Sequence, residues 1–373
     1  MTYQSVTIDQ LVPGSYVVEV LKQTGEVEIK HAGWVRTPEA IKQLKNKGVQ
    51  VVAIDPTKQL FRETPVPEKS TEADPIAFRA VFADEYPRAE RSLAHAIKIQ
   101  TQVLQDVAEG KQVDLRLIHE VSAGLSDSVG RNPDVLLYLT RIANQSNKLL
   151  QHSVNCAVYM AAFTRFLNYP KHKVQSLITA ALLHDVGKAQ NAALLTQPDS
   201  AAISTSLMAL QKNPLFIGDV SLWISQHCAY LDGSGAPAIK GNQIEAGSRI
   251  LAIINLYEQL TDTEQGSGNP LLAIKQLLAK TPDQLDAELL QQFIQCIGIY
   301  PPGSVVRLTT GRLALVLENT PKKPMQPTVK VFYHSVHHHH IIPKIINLSR
   351  QRDEQIEACV DLKKYNLDAQ NYL

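Results

Sequence analysis

The sequence predicts a mainly α-helical protein that carries a small N-terminal α+β domain and a small β-rich C-terminal extension. Three observations support this fold class. Apolar residues recur with a helical period from about residue 76 to 300, and they alternate with a strand period before residue 60 and after residue 300. Because prolines mark both changes of period, we expect domains at residues 1–60 and 76–300, a linker at 61–75 and the extension at 301–373.

The predicted N-terminal domain combines short strands with one helix. Ser15–Val20 and Glu26–Lys30 alternate apolar and polar residues, which predicts a hairpin. A helix is expected to begin at Pro38, since proline favours the first helical position, and Gly48 is a typical end. Val51–Ile54 is expected to follow as a buried strand. Nothing in this domain indicates catalysis.

The predicted linker contains four prolines between Asp55 and Pro75 and has no helical period. After it, segments such as Ser92–Leu104 and Val135–Ala143 repeat apolar residues with the period of an amphipathic helix. This pattern predicts an all-helical domain. The C-terminal extension alternates with a period of two residues in three segments, which are Ser304–Leu308, Arg312–Leu317 and Thr328–Tyr333.

The composition limits the class of protein. A net charge of +1 lacks the strong positive field with which proteins bind nucleic acids or acidic membranes. The four cysteines include no CxxC pair, so the sequence indicates neither a disulfide framework nor a structural zinc site. No window reaches the roughly 18 apolar residues that span a bilayer, and no leader pattern is present. We therefore expect a cytoplasmic protein with no membrane span and no nucleic-acid partner.

The adjacent residues His184 and Asp185 carry the clearest chemical signal. Neighbouring side chains on a helix point about 100° apart, so this pair shares one metal ion only at a helix end. Gly187 is expected to end the helix there. Lys188 then offers a cation that suits a phosphate oxygen. We therefore predict that Asp185 and Lys188 are catalytic residues and that the His-Asp pair binds a metal ion.

Two further histidines extend the predicted metal site. His152 lies on the core-facing side of a separate apolar helix, and His227 precedes a glycine-rich turn. A lone histidine on an apolar face is more often a satisfied core imidazole. The ordered combination with His184 and Asp185 favours the functional interpretation, in which all four residues are ligands in a centre that cleaves phosphate esters.

The turn after His227 contains Asp232, Gly233, Ser234 and Gly235. Its small residues and backbone amides allow a ligand to approach closely. The alternative is an ordinary loop that ends a helix. We predict that Asp232, Gly233 and Gly235 bind a ligand together with Lys188.

Taken together, these motifs resemble the HD-GYP family, a branch of the HD phosphohydrolases. The resemblance implies an HD-type helical domain, iron- or manganese-type ions and metal-dependent hydrolysis of cyclic di-GMP, a bacterial second messenger. Leu11–Val18 resembles part of the uncharacterised domain that often precedes HD-GYP modules, and Ile299–Leu308 resembles the segment that follows them. The residues that carry the resemblance are His152, His184–Lys188, His227, Asp232–Pro237 and Ala246–Glu258.

The chain departs from the HD-GYP pattern where the family holds its further ions and its ligand. Glu258 stands at the position of a nearby aspartate, and Thr263–Pro270 replaces the arginine-rich run that the family uses for ligand phosphates. Histidines, a glutamate, a tyrosine and a late carboxylate of the family pattern are also replaced. The residues at these substituted positions are Asn213, Cys228, Ala229, Ala236 and Asn255.

These departures limit the cofactor. Asp185 is the one certain anionic ligand in the retained set, and a neutral Asn255 is a poor bridge between two divalent ions. We expect at most one divalent ion of the iron, manganese or zinc type, or none. A Cys228 thiolate beside His227 is an alternative zinc ligand, although buried cysteine is usually a small hydrophobe. The His337–His340 run is expected to be a solvated loop without a catalytic role.

The sequence leaves open whether the chain is an enzyme. The first hypothesis is a degenerate HD-GYP protein of bacterial cyclic-dinucleotide signalling, impaired or inactive in hydrolysis, that acts by protein contact or ligand sensing. The second is an active cyclic di-GMP phosphodiesterase with a reduced metal site. A nucleotidase-like HD hydrolase is disfavoured by Asn255. The expected partners are cyclic di-GMP or a related cyclic dinucleotide, other signalling proteins and, in a homo-oligomer, a second copy of the chain.

Overall fold

The computed structural model divides the chain into two compact units, residues 1–68 and 69–373. The predicted strand Glu26–Lys30, the predicted linker and much of Thr263–Pro270 lie outside the described residues, and the predicted domain boundaries stay a prediction. The described residues are 3–11, 15–24, 32–35, 38–59, 79–143, 147–211, 213, 216, 218–262, 268–320, 323–351, 353–367 and 372.

The first unit contains a four-stranded antiparallel sheet in the order β1-β4-β2-β3, with one helix. Apolar residues of β2 and β4, including Val17, Val52 and Ile54, form its core. Gly48 has a φ of +80°, and a Cβ there would lie 1.8 Å from the Thr24 carbonyl oxygen. The elements are β1 Gln4–Thr7, β2 Ser15–Gln23, β3 Gly33–Val35, α1 Pro38–Asn46 and β4 Val49–Gln59.

The second unit contains the predicted helical region. Several helices begin at a residue whose side chain accepts a backbone N–H, such as Asp114, Asn132 and Asn147, so local sequence sets these starts. The helices are α2 Phe82–Ala108, α3 Leu115–Arg131, α4 Pro133–Ile142, α5 Lys148–Phe166, α6 Lys171–Leu183, α7 Ile203–Gln211, α8 Asp219–Gln226, α9 Ala246–Thr261, α10 Pro270–Leu278 and α11 Ala287–Ile297.

Helix α5 lies at the centre of this region because it is apolar around nearly its whole circumference. It packs against α3, α4, α6, α9 and α11. Tyr159 and Phe163 of α5, Tyr257 of α9 and Phe293 of α11 form an aromatic cluster with ring centroids 5.2–6.3 Å apart. This cluster holds together the two helices that carry His152 and Glu258.

The C-terminal residues form a five-stranded antiparallel sheet in the order β8-β7-β6-β5-β9. The sheet joins the helical region through α4, where the Asp134 carboxylate accepts a hydrogen bond from the Asn319 backbone N–H at 2.7 Å. The predicted fold class is therefore confirmed. The strands are β5 Val305–Leu308, β6 Arg312–Glu318, β7 Thr328–His334, β8 His339–Asn347 and β9 Ile356–Cys359.

The histidine run differs from the predicted loop. His337 and His338 lie in a turn, but His339 and His340 begin strand β8, where His339 pairs with His334. The expectation of a loop was wrong for these two residues because β7 supplies their hydrogen-bond partners, which the local sequence does not reveal. Among the described residues, no helix combines the length and the apolarity that crossing a bilayer requires.

Candidate metal centre

Helix α6 brings His184 and Asp185 to its C-terminal end. The helix ends at Leu183, His184 is its C-cap, and a short 3-10 helix, Val186–Gln190, follows Asp185. The predicted end at Gly187 was therefore four residues too late. Gly187 is needed for packing instead, since a Cβ there would lie 2.4 Å from the Ser206 backbone nitrogen. His184 and Asp185 nonetheless lie at a helix end, the position from which adjacent residues can bind the same metal ion.

Two imidazoles are oriented by carbonyl groups of their own helices. The Nδ1 atom of His184 lies 2.8 Å from the Ala181 carbonyl oxygen, and Nδ1 of His227 lies 2.7 Å from that of Ile224. Because a carbonyl only accepts, each Nδ1 carries a proton, so Nε2 is the nitrogen that has the lone pair in the neutral form of the ring. The Nε2 of His227 is buried without a protein hydrogen-bond partner. A metal ion would satisfy such an atom.

Burial also keeps His184 in the form that a metal binds. Its side chain is fully buried. Burial, with smaller contributions from the neighbouring imidazoles of His227 and His152, lowers the pKa of His184 to about 4, against the opposing effect of Asp185. His184 is therefore neutral at pH 7, which leaves its Nε2 lone pair available to a cation.

His152 on α5 is held by a carboxylate of α9. Its Nδ1 lies 2.5 Å from Oε2 of Glu258, whose other oxygen accepts a hydrogen bond from Asn155 Nδ2 at 2.9 Å. Burial opposes protonation of His152, but Cys156 and Glu258 outweigh it and raise its pKa well above the usual range. Since burial raises the pKa of the Cys156 thiol to about 11, Glu258 is the anion of the three at pH 7.

The remaining ring nitrogen of His152 points to the same centre as His184. The two Nε2 atoms are 3.1 Å apart, and each lies 3.6 Å from Oδ2 of Asp185. Donor atoms of His184, Asp185 and His227 all lie within 4.8 Å of one another. Ligand bonds of about 2.1 Å place neighbouring donors roughly 3.0–3.4 Å apart. The spacings within these two sets of donors suit one divalent ion once binding displaces the Nε2 proton of His152. The ligand roles of the four residues stay a prediction.

Lys188 contacts the proposed centre through Asp185. Its Nζ lies 2.5 Å from Asp185 Oδ2, and both side chains are buried. The lysine therefore balances part of the charge of the carboxylate. Its predicted role on a ligand phosphate stays a prediction.

The glycine-rich turn comes close to the segment after His227. Ala236 N–H donates to the Cys228 carbonyl at 2.9 Å, and a Cβ on Gly235 would lie 2.2 Å from that same oxygen. Asp232 instead accepts hydrogen bonds from Ser234. Gly235 thus has a packing reason for being glycine, and the ligand-binding roles of this turn stay predictions.

A cavity of about 960 Å³ opens over the centre, with His152, Asp185, Lys188 and His227 in its wall. Lys148 also lines it, as do Ser234 and Gly235 of the turn, whereas Asp232 and Gly233 are not among its described lining residues. Its volume is in the range of sites that bind small organic ligands, roughly 300–1,000 Å³.

The substituted family positions are not all at this cavity. Cys228, Ala236 and Asn255 line it. Asn213 donates to the Val113 carbonyl at 2.8 Å and does not line the cavity, and Ala229 belongs to a small apolar cluster with Leu231 and Ile244. The sequence interpretation missed Glu258 as a site residue. Two signals were available: Glu258 stands at a family aspartate position, and its spacing of three residues from Asn255 puts both on one face of α9.

We expect Glu258→Gln to weaken binding of a divalent ion by about 10- to 100-fold, because His152 loses the carboxylate that orients it. Titration calorimetry with Mn²⁺ measures the effect. Glu245→Gln, the same change at an exposed residue that precedes α9, is the matched control. Equal affinity in the two variants would show that Glu258 does not support the metal site.

The comparisons with known proteins match most of the chain. Residues 3–118 match a domain of unknown function, DUF3391, residues 138–289 match the HD domain, and residues 305–368 match the KOW domain associated with HD domain. The four candidate metal ligands all lie within the HD-domain match.

Individual proteins are also similar. The chain is 27% identical over 350 residues to cyclic di-GMP phosphodiesterase PA4108 of Pseudomonas aeruginosa. The match covers 86% of this chain and 83% of that protein. Among solved structures, it is similar to Bd1817, an HDG"Y"P protein from Bdellovibrio bacteriovorus. That match has 17% identity and a TM-score of 0.49, and covers 78% of this chain and 98% of the other.

Proposed function

Starting from the premise that this chain is a member of the HD-GYP family of HD-domain proteins, we propose that it holds a single divalent ion and binds cyclic di-GMP or a related cyclic dinucleotide. Hydrolysis of that ligand is impaired or absent. The protein acts in cyclic-dinucleotide signalling as a ligand sensor that contacts other proteins. We place it in the cytoplasm, in keeping with its four cysteines, none of which forms a disulfide.

The donor set around His184 is the observation that carries this proposal. Donor atoms of His152, His184 and Asp185 lie 3.1–3.6 Å apart, and those of His184, Asp185 and His227 lie within 4.8 Å of one another. These separations support a single shared ion. A second ion would need a bridging carboxylate, and the nearest family position offers the amide of Asn255. Asn213, at another family position, is engaged with the Val113 carbonyl. Too few anionic donors remain to offset the repulsion between two divalent ions.

The residues of the cavity have separable roles. Asp185 supplies the anionic donor, His184 and His227 supply neutral nitrogens, and Glu258 orients His152. When bound, a divalent ion would act as a Lewis acid toward a phosphoryl oxygen. Lys148 and Lys188 add positive charge to the cavity wall, which favours the phosphates of a cyclic dinucleotide.

The second candidate is an active cyclic di-GMP phosphodiesterase with a reduced metal site. Retention of all four donors favours it, because these residues would be free to change in a protein that acts by contact alone. The printed name of the relative PA4108 states this activity for that protein.

Two measurements on the purified chain separate the candidates. We expect elemental analysis to find about one transition-metal ion per chain. Calorimetry is expected to show saturable binding of cyclic di-GMP, and chromatography little or no linear product. Rapid hydrolysis would establish the second candidate instead. Two tightly held ions would contradict the single-ion site, and absence of cyclic di-GMP binding would contradict the sensor.

Asn255→Asp tests whether the missing carboxylate limits the site. We expect the variant to bind Mn²⁺ at least about tenfold more tightly and to gain hydrolysis, because it adds an anionic donor to the cavity wall. Gln259→Glu, which adds a carboxylate one turn further along α9 in the same wall, is the matched control. An equal gain in both variants would indicate a general charge effect and would contradict a specific role for position 255.

A further inference from the structure

A second cavity, of about 750 Å³, lies in the same unit between the helices and the C-terminal extension. Its wall combines the end of α4, one side of α5, the turn before β5 and the segment after β9. None of the four candidate metal ligands is among its described lining residues, although Glu258 and Asp262 line both cavities. The volume suits a ligand of the size of a sugar phosphate or a nucleotide.

Three side chains in this wall have buried polar atoms without a hydrogen-bond partner. They are Nε of Arg141, Oε1 of Gln151 and Oγ of Ser304. The Ser304 side chain belongs to a residue that is only 3% exposed. Because about 90% or more of buried polar groups in proteins are hydrogen-bonded, three exceptions in one wall indicate a place for a polar ligand.

The charge of Arg141 has no carboxylate partner among the described residues. The guanidinium hydrogen-bonds the hydroxyl of Tyr159, which is neutral at pH 7 because burial raises its pKa. Arg141 is half-buried, and leaving a partly desolvated guanidinium without a counter-charge is unfavourable. An anion in the cavity would supply that counter-charge.

The acidic residues of the wall are engaged elsewhere. Glu258 is held by His152 and Asn155, Asp262 lies 3.5 Å from Lys148, and the Asp361 side chain accepts the Lys363 backbone N–H. Lys363 and Lys364 are exposed at the edge of the cavity, where they add positive charge. The electrostatic balance at Arg141 therefore favours an anionic ligand.

The turn before β5 is built to cover Arg141. Gly303 has a φ of +85°, and a Cβ there would lie 2.7 Å from Cβ of Arg141 and 2.9 Å from the Tyr138 carbonyl oxygen. This close approach brings the neighbouring Ser304 into the cavity wall. The C-terminal extension thus completes a pocket that the helical region alone would leave open.

We propose that this cavity is a binding site for a sugar phosphate group, free or as part of a nucleotide. Arg141 holds the phosphate, which matches the paired N–H donors of a guanidinium. The acceptor Oε1 of Gln151 binds a sugar hydroxyl, and Ser304 Oγ donates to the phosphate. The site is distinct from the metal centre and requires no metal ion.

Calorimetry on the full chain with ribose 5-phosphate, inorganic phosphate and ribose tests the site. We expect saturable binding of ribose 5-phosphate with a Kd below about 1 mM, weaker binding of inorganic phosphate and none of ribose. Arg141→Gln is expected to weaken ribose 5-phosphate binding by at least about tenfold. Lys171→Gln, at an exposed position of α6 that lines neither cavity, is the control and should change it by less than about twofold.

Three results would overturn the proposal. They are no saturable binding of ribose 5-phosphate, equal binding by wild type and a folded Arg141→Gln variant, and loss of binding in Lys188→Gln, which would place the ligand at the metal centre. If circular dichroism shows that Arg141→Gln does not fold, Gln151→Leu decides. Gln151 is half-buried, and we expect the Gln151→Leu variant to lose most of the preference for ribose 5-phosphate over inorganic phosphate. An unchanged preference would refute the site.

Discussion

His184→Ala is expected to weaken binding of a divalent ion by more than about 100-fold, a larger loss than is typical for residues that only orient a ligand. The substitution removes a nitrogen that lies 3.1 Å from His152 Nε2 and 3.6 Å from Asp185 Oδ2. The Cys156 thiol also lies close to the donors of His152 and His184, but burial raises its pKa to about 11, so it is a poor replacement at pH 7. Calorimetric titration with Mn²⁺ or Zn²⁺ measures the affinity.

His172→Ala is the matched control for this loss. His172 is exposed and lies on the same helix, α6, so it tests removal of an imidazole away from the centre. We expect its affinity to equal that of the wild type. Retention of metal affinity within about tenfold in a folded His184→Ala variant would mean that the ion lies elsewhere, and the single-ion centre would be wrong.

Phe293→Ala is expected to lower the free energy of unfolding of the second unit by about 3–5 kcal/mol, the range for deleting a buried aromatic side chain. Phe293 is fully buried, and its ring contacts those of Phe163 and Tyr257 at centroid distances of 5.2 Å. Without the Phe293 ring, α11 would lose its aromatic contacts with α5 and α9. Denaturant unfolding followed by circular dichroism measures the change.

Leu278→Ala provides a control of the same kind at the surface. Leu278 ends α10 and is 47% exposed, so its loss should change stability by no more than about 0.5 kcal/mol. A change below about 1 kcal/mol for Phe293→Ala would show that the aromatic cluster does not hold these helices together. Because α5 and α9 carry His152 and Glu258, we also expect weaker metal binding in Phe293→Ala.

Much of the fold was predictable because its causes are local. Apolar period identified the long helices, and the structure has local capping residues such as Asn132 and Asn147 at their starts. Strand β8 was missed. Its sequence has two histidines followed by apolar pairs around Pro343, so it lacks regular alternation. Proline is tolerated there because β8 is an edge strand, a position that only the assembled sheet defines.

The candidate donors were predictable, but the contacts that support them were not. His152, His184 and Asp185 were expected to converge, and their donor atoms lie 3.1–3.6 Å apart. Their role as metal ligands, like that of His227, stays a prediction. The contact of Glu258 with His152 joins residues 106 positions apart, and α9 brings them together through its packing on α5. The spacing along α9 indicates that Asn255 and Glu258 share one face of the helix. It does not indicate that this face meets His152.

The sequence by itself determined the inventory of chemical groups: one carboxylate in the retained ligand set, three imidazoles, and the amide of Asn255 where the family pattern has a carboxylate. That inventory limits the number of ions because charge balance depends on composition. Tertiary structure decided orientation and environment. Packing set which ring nitrogens face the centre, paired Glu258 with His152, and covered Arg141 with the turn at Gly303, since these contacts join distant segments whose approach no local pattern encodes.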